Sequence, residues 1–180
     1  MAVLHRAQIS PTKLELVTAW LDQQPWGGSG EVELIGGYRF DDPDGEVGIE
    51  SLLARRGDLI AQLPVTYRGA PLDGAEEYLI TTMEHSALGK RWIYAATGDP
   101  VAMACFARAL TGEQQQAEVE VHHADGRVEQ IEPPVRVRLE GTTTSTEVRF
   151  STDLATPVTG AARLVASWAG GEDAVVAAAG

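Results

Sequence analysis

The chain has 180 residues, 44% of them hydrophobic and 22% charged, and a formal net charge of −12. That length carries one domain, or one domain with a small extension, and buries a core without metal or disulfide help. Acidic residues outnumber basic ones in both halves, which disfavours nucleic-acid backbones and anionic membrane surfaces as partners.

Cys105 is the only cysteine, so no internal disulfide forms. The opening MAVLHRAQIS lacks the apolar core of a signal peptide. No run approaches the roughly 20 apolar residues needed to cross a bilayer. A cytoplasmic protein is the expectation.

Residues 2–9 are short and β-permissive. Ser10-Pro11 predicts a helix start, with Ser10 as cap and Pro11 in the first helical position. The helix is expected to reach about residue 24, with Leu14, Val17 and Leu21 on its apolar stripe and Trp20 beside them. Pro25 stops it, and Gly27-Gly28-Ser29-Gly30 reads as a linker without the lysine of a phosphate loop. Strands are expected over 31–40, 46–55, 59–67 and 77–82. Asp41-Asp42-Pro43-Asp44-Gly45 is a turn by composition, and its acids lack the spacing of a calcium loop. Pro64 predicts an edge strand or a bulge.

Residues 91–96 read as a short helical turn. Asp99-Pro100 then opens a second helix, closed by Thr111-Gly112. The rest reads as β: 117–123 and 127–131 around an Asp125-Gly126 hairpin turn, then 135–139, 146–150, 163–168 and 174–178. The predicted class is α+β: a curved antiparallel sheet packed on an N-terminal helix, followed by a second helix and a β-rich C-terminal part.

The stretch from Tyr67 to Pro100 concentrates the unusual residues, including His85, Trp92 and three tyrosines. Its motifs, with their neighbours, carry a family resemblance. The pieces are Tyr38-Arg39-Phe40, Leu63-Pro64-Val65-Thr66-Tyr67-Arg68, Ala70-Pro71-Leu72, and Arg91-Trp92-Ile93-Tyr94 followed by Gly98-Asp99-Pro100. Trp20-Leu21 followed by Pro25-Trp26 fits the same pattern. Together they resemble the N-terminal cap of actinobacterial maltokinases, over residues 8–111. The resemblance implies a cystatin-like cap. It also implies a link to enzymes that use ATP to make maltose 1-phosphate, on the route from trehalose to α-glucan.

In that family the chemistry sits in a kinase-like body after the cap, and the chain is expected to stop before it. A kinase site needs a phosphate-gripping lysine, a catalytic aspartate in an HxD loop and a metal-binding aspartate. The only lysines are Lys13 and Lys90, and the HxD spacing occurs only at His123-Ala124-Asp125, in a predicted hairpin turn with no asparagine after it. Residues 1–111 therefore read as a cap-like domain and 112–180 as a β-rich extension, packed on the same core or apart from it.

The function expected is that of a non-catalytic accessory or binding protein acting through a partner enzyme or self-association, with no cofactor. The alternative is a small-molecule or sugar-binding module using Tyr67, Arg68, His85, Arg91 and Trp92; an unrecognised enzyme is a third reading. Glu84-His85-Ser86 reads as a loop bonded to its own backbone rather than as a catalytic pair. His122-His123-Asp125 reads as a solvated hairpin rather than a metal site, because neighbours on a strand point to opposite faces. Cys105 is expected in the core. Of Trp92 and Tyr94, one is expected to be packed and one exposed.

Overall fold

The computed structural model describes residues 2–5, 8–122, 127–171 and 173–180. The chain order is β1 (Ala2–His5), β2 (Ile9–Ser10), α1 (Lys13–Asp22), β3 (Glu33–Asp41), β4 (Gly48–Arg56), β5 (Leu59–Arg68), β6 (Leu79–His85), β7 (Gly89–Ala95) and α2 (Pro100–Thr111). Then come β8 (Val119–His122), β9 (Val128–Ile131), β10 (Val135–Gly141), β11 (Arg149–Phe150), β12 (Ala162–Trp168) and β13 (Ala174–Ala179). The predicted hairpin turn at 124–126 and the His122-His123-Asp125 cluster lie outside the residues whose side chains are described.

A six-stranded sheet in the order β2-β6-β7-β5-β4-β3 forms the centre. Every neighbouring pair in it is antiparallel. The architecture is α+β, as predicted, with one exception to the antiparallel expectation among the described residues: β1 pairs with β8 in parallel.

Strand alternation sends β4 and β5 side chains to two different cores. On one face Leu52, Ala54, Ala61, Leu63 and Val65 pack with Leu16, Val17 and Leu21 of α1. On the other, Ile49 and Leu53 pack with Tyr38, Phe40 and the α2 residues Ala102, Cys105, Phe106 and Leu110. Leu164, Ala166, Val176 and Ala177 from β12 and β13 complete that second core. Residues before and after Gly112 thus share one apolar core. Aromatic edges knit it, with Phe106 contacting Phe40 and Phe150 at centroid distances of 5.0 and 4.7 Å.

The first helix departs from the sequence reading. Its cap is Thr12, whose side chain accepts from Glu15 N while the Glu15 carboxylate accepts from Thr12 N. Ser10 is unavailable because it pairs with Glu84 in the sheet. The buried face is Leu16, Val17 and Leu21, and Leu14 is 42% exposed. Lys13 explains the rotation. Its ammonium turns inward to Glu50 at 2.7 Å, which makes 13, 16, 17, 20 and 21 the inward arc and turns position 14 outward.

Two further expectations are corrected. Residues 91–95 are strand, not a helical turn: they pair on both sides, with β5 and with β6. Two ladders outweigh a weak local helical preference. Pro64 lies in an interior strand, but β7 pairs only from Val65 onward, while Gln62 N donates to Thr152 O. Pro64 occupies the gap between these partners, where no strand needs its missing N–H.

The second helix follows its local signals. The Asp99 side chain accepts from Val101 N, Pro100 opens the first turn, and Gly112 closes the helix at φ 84°. The strand expected over 146–150 is reduced to Arg149–Phe150. The chain beyond it runs beside β5 instead, with Ala61 bridging to Asp153 and Leu154 N donating to Ile60 O at 2.9 Å. Gly36 sits at the β3 bulge with φ 146°; a β-carbon there would lie 2.6 Å from Pro134 Cγ, so glycine permits the close approach of the segment leading into β10.

Candidate functional site

The five residues singled out in the sequence divide between the two faces of the sheet. Register pairs place Arg68, Trp92 and Thr82 in one row across β5, β7 and β6. The next row, Tyr67, Ile93 and Thr81, faces α1. His85 and Arg91 share parity with Tyr67, so the structure brings Arg68 and Trp92 together and separates them from the other three.

On the α1 face Tyr67 belongs to a buried charge network. Glu50, only 5% exposed, accepts from Lys13 at 2.7 Å and from the Tyr67 hydroxyl at 2.9 Å, with Arg39 at 3.6 Å. Burial pushes the Glu50 carboxyl up, but Arg39, Lys13 and the Tyr67 hydroxyl outweigh it and hold the group below the usual carboxylate range. Burial and the Glu50 charge together push the Tyr67 phenol well above its ordinary value. Sequence reading missed Glu50. Its signal is a carboxylate inside the apolar run Ile49 to Ala54.

His85 organises the turn between β6 and β7. Its Nδ1 accepts from Ala87 N and Leu88 N at 3.2 and 3.1 Å. Ser86 Oγ accepts from Gln8 N at 3.0 Å, so this tripeptide bonds to backbone as the sequence reading expected. Arg91 donates to Leu88 O at 2.6 Å in the same turn.

The opposite face carries Arg68 and Trp92. Trp92 is half-buried, with the Lys90 ammonium 5.2 Å from its ring centroid. Thr82 and Arg68 flank it in register, and Glu84 pairs with Lys90 one row on. Tyr94, the packed member of the aromatic pair, accepts from Leu72 N at 2.9 Å and fixes the loop above this face. Arg68 forms a bidentate pair with Asp99 at 2.7 and 2.8 Å. Burial raises the Asp99 carboxyl, yet the Arg68 guanidinium and the α2 backbone outweigh it and hold it below the ordinary value. The arrangement is one aromatic ring with a cation, a hydroxyl and a carboxylate around it.

A groove of about 630 Å³ opens elsewhere, lined among others by Phe40, Gln116, Gln130, Arg136, Leu139 and Leu164. Two of its amides are engaged within the protein: Gln116 bonds to Val135 O and Val137 N, and Gln130 to Glu118. Cys105 is fully buried, and burial pushes its thiol up. Among the described residues no cluster of three or more His, Cys, Asp or Glu is placed to hold a metal. Among them, too, no helix is long and apolar enough to cross a membrane.

Residues 20–99 match the family model of the maltokinase N-terminal cap domain. That segment is maltokinase N-cap-like. It runs from Trp20 in α1, through the central strands, to the Asp99 that caps α2. All five sequence-predicted residues fall inside the cap-like segment. No curated protein and no solved structure matches the chain.

Proposed function

We propose that this protein is a non-catalytic accessory or binding protein built on the maltokinase N-terminal cap. It would act through a partner enzyme of trehalose, maltose or α-glucan metabolism, in the cytoplasm. The observation that carries the reading is the match of residues 20–99 to the cap domain. It is supported by what the reactive groups of that segment do. Glu50, Asp99, Arg68 and His85 each hold a helix, a strand or a turn in place. On this reading 1–111 is the cap-like unit, of cystatin-like form, and 112–180 extends it.

The test is affinity capture from extract of the native organism, paired with a phosphotransfer assay. Stoichiometric recovery of a maltose kinase, a trehalose-converting enzyme or a glucan-building enzyme is expected. Transfer of phosphate from ATP to maltose by the purified protein at a useful rate would sink the reading.

A second reading rests on the row Arg68, Trp92 and Thr82: a sugar-binding face, with the ring stacking on a pyranose and the neighbouring polar groups bonding hydroxyls. Trp92→Ala should abolish binding of maltose or a longer glucan without unfolding the protein. Unchanged binding would place the ligand elsewhere.

A further inference from the structure

β10 ends the C-terminal sheet, and among the described residues no strand pairs with its outer side. Its register with β12 is unbroken from Val135 to Gly141. In an antiparallel ladder alternate residues turn both backbone groups away from the partner strand. The Gln116 side chain shows which residues do so here. Its amide nitrogen donates to Val135 O at 2.7 Å, and its amide oxygen accepts from Val137 N at 2.8 Å. Val135, Val137 and Leu139 are therefore the outward set, and one primary carboxamide already grips this edge across Arg136.

The next step along the strand repeats that donor–acceptor pair and is open. Val137 O and Leu139 N flank Arg138 as Val135 O and Val137 N flank Arg136. Among the described residues neither has a hydrogen-bond partner. Both belong to residues that line the groove of about 630 Å³, a volume in the range of small-molecule sites, and Leu139 is 37% exposed. Ala109, Leu139 and Leu164 give the groove an apolar floor. Gly112 leaves that floor clear: a β-carbon there would stand 3.5 Å from Leu139 Cδ2. The charged lining residues, Glu118, Glu132, Arg136 and Arg138, balance one another. Glu132 already holds Arg136, and Arg138 is held by Glu140 and Asp173, so no charge is left to be matched by an ionic ligand.

We infer that this groove binds a neutral small molecule through a planar amide edge. An N–H of the ligand donates to Val137 O, the acceptor beside it takes the hydrogen of Leu139 N, and a flat apolar body rests on Ala109, Gly112 and Leu139. A primary carboxamide presents that edge, and so does a nucleobase. A carboxylate does not, because it has no donor for Val137 O. β10 lies outside residues 20–99, so the site stands whether or not the accessory reading does.

The probes are nicotinamide and adenosine, each titrated into the full chain and followed through the backbone amide resonances. A saturable shift of the Leu139 amide is expected, and whichever probe binds tighter there names the source of the edge. Nicotinic acid and N,N-dimethylnicotinamide keep the ring but lose the donor, and each should bind at least about fivefold weaker than nicotinamide, the worth of one hydrogen bond. Leu139→Pro removes the N–H on the open side of an edge strand, where proline is tolerated, and should abolish the binding. Gln116→Ala uncovers the first pair and should add a second saturable shift, at the Val137 amide; it keeps the test decisive if the proline variant does not fold. No saturable shift at Leu139 with either probe overturns the inference. So does equal binding of the two donor-free analogues, unchanged affinity in a folded Leu139→Pro variant, or a silent Val137 amide in Gln116→Ala.

Discussion

Tyr38 donates its phenolic hydrogen to Gln62 Oε1 at 2.8 Å, in a site where both side chains are sealed from solvent. The amide nitrogen of Gln62 donates in turn to Ser151 O at 3.0 Å and Val176 O at 2.8 Å. One buried side chain thus joins β3 and β5 of the central sheet to the C-terminal strands. Gln62→Leu removes three hydrogen bonds; the Tyr38 hydroxyl loses its acceptor and Ser151 O its Gln62 donor, while Val176 O keeps Ser151 N. A loss of about 3 kcal/mol is expected. Denaturant unfolding measures it, and a loss no greater than that of an exposed control would show that the bolt is slack.

The Glu50 network predicts acid sensitivity. Its folded-state pKa lies below the unfolded one, so its stabilisation is complete above the ordinary carboxylate range and is lost as pH falls through the depressed folded value. Asp99 has the same sign. Unfolding midpoints should therefore fall steeply below about pH 4. Glu50→Gln should lower stability at pH 7 by about 3 kcal/mol and flatten that acid limb. An equally steep limb in the variant would assign the acid response to other groups.

The rotation of α1 is tested by two leucines. Leu16 is 2% exposed and Leu14 42%. Leu16→Ala is expected to cost about 3 kcal/mol. Leu14→Ala should stay within about 0.5 kcal/mol. Reversed magnitudes in thermal or urea unfolding would restore the stripe that simple periodicity suggests.

Gly98 sets the approach of the loop carrying Tyr78. A β-carbon at 98 would stand 2.0 Å from Tyr78 Cγ. Gly98→Ala is expected to destabilise by about 2 kcal/mol. Adding Tyr78→Ala should recover most of that loss. A double-mutant cycle with no coupling would place the clash elsewhere.

Cys105 is expected to be inert toward a thiol reagent in the native state, because the side chain is fully buried and its thiol is pushed up. In denaturant it should react fully. Rapid native labelling would mean that α2 opens readily.

Features settled between neighbours in the chain are readable from the residues alone. The cap at Asp99, the proline after it and the stop at Gly112 satisfy backbone groups within five residues, so they are legible locally. The same holds for the Asp42 turn, whose carboxylate accepts from Asp44 N, Glu46 N and Val47 N. The alternation of β5 is written in its residues too, since each parity meets a different core. The motifs read over residues 8–111 sufficed to suggest the cap, because each is a contiguous string.

Faces and strand neighbours come from long-range packing. Only the position of Glu50 turned Lys13 inward and Leu14 outward. Two flanking ladders made 91–95 a strand. Sequence proximity suggested that Tyr67 and Arg68 work together, yet adjacent strand residues point to opposite faces, and only the pairing register puts Arg68 beside Trp92 and Tyr67 beside Glu50. The partners of Gln62 come from distant parts of the chain. Propensity and capping act over a few residues; burial, register and charge pairing are fixed by whichever distant segment folds against them.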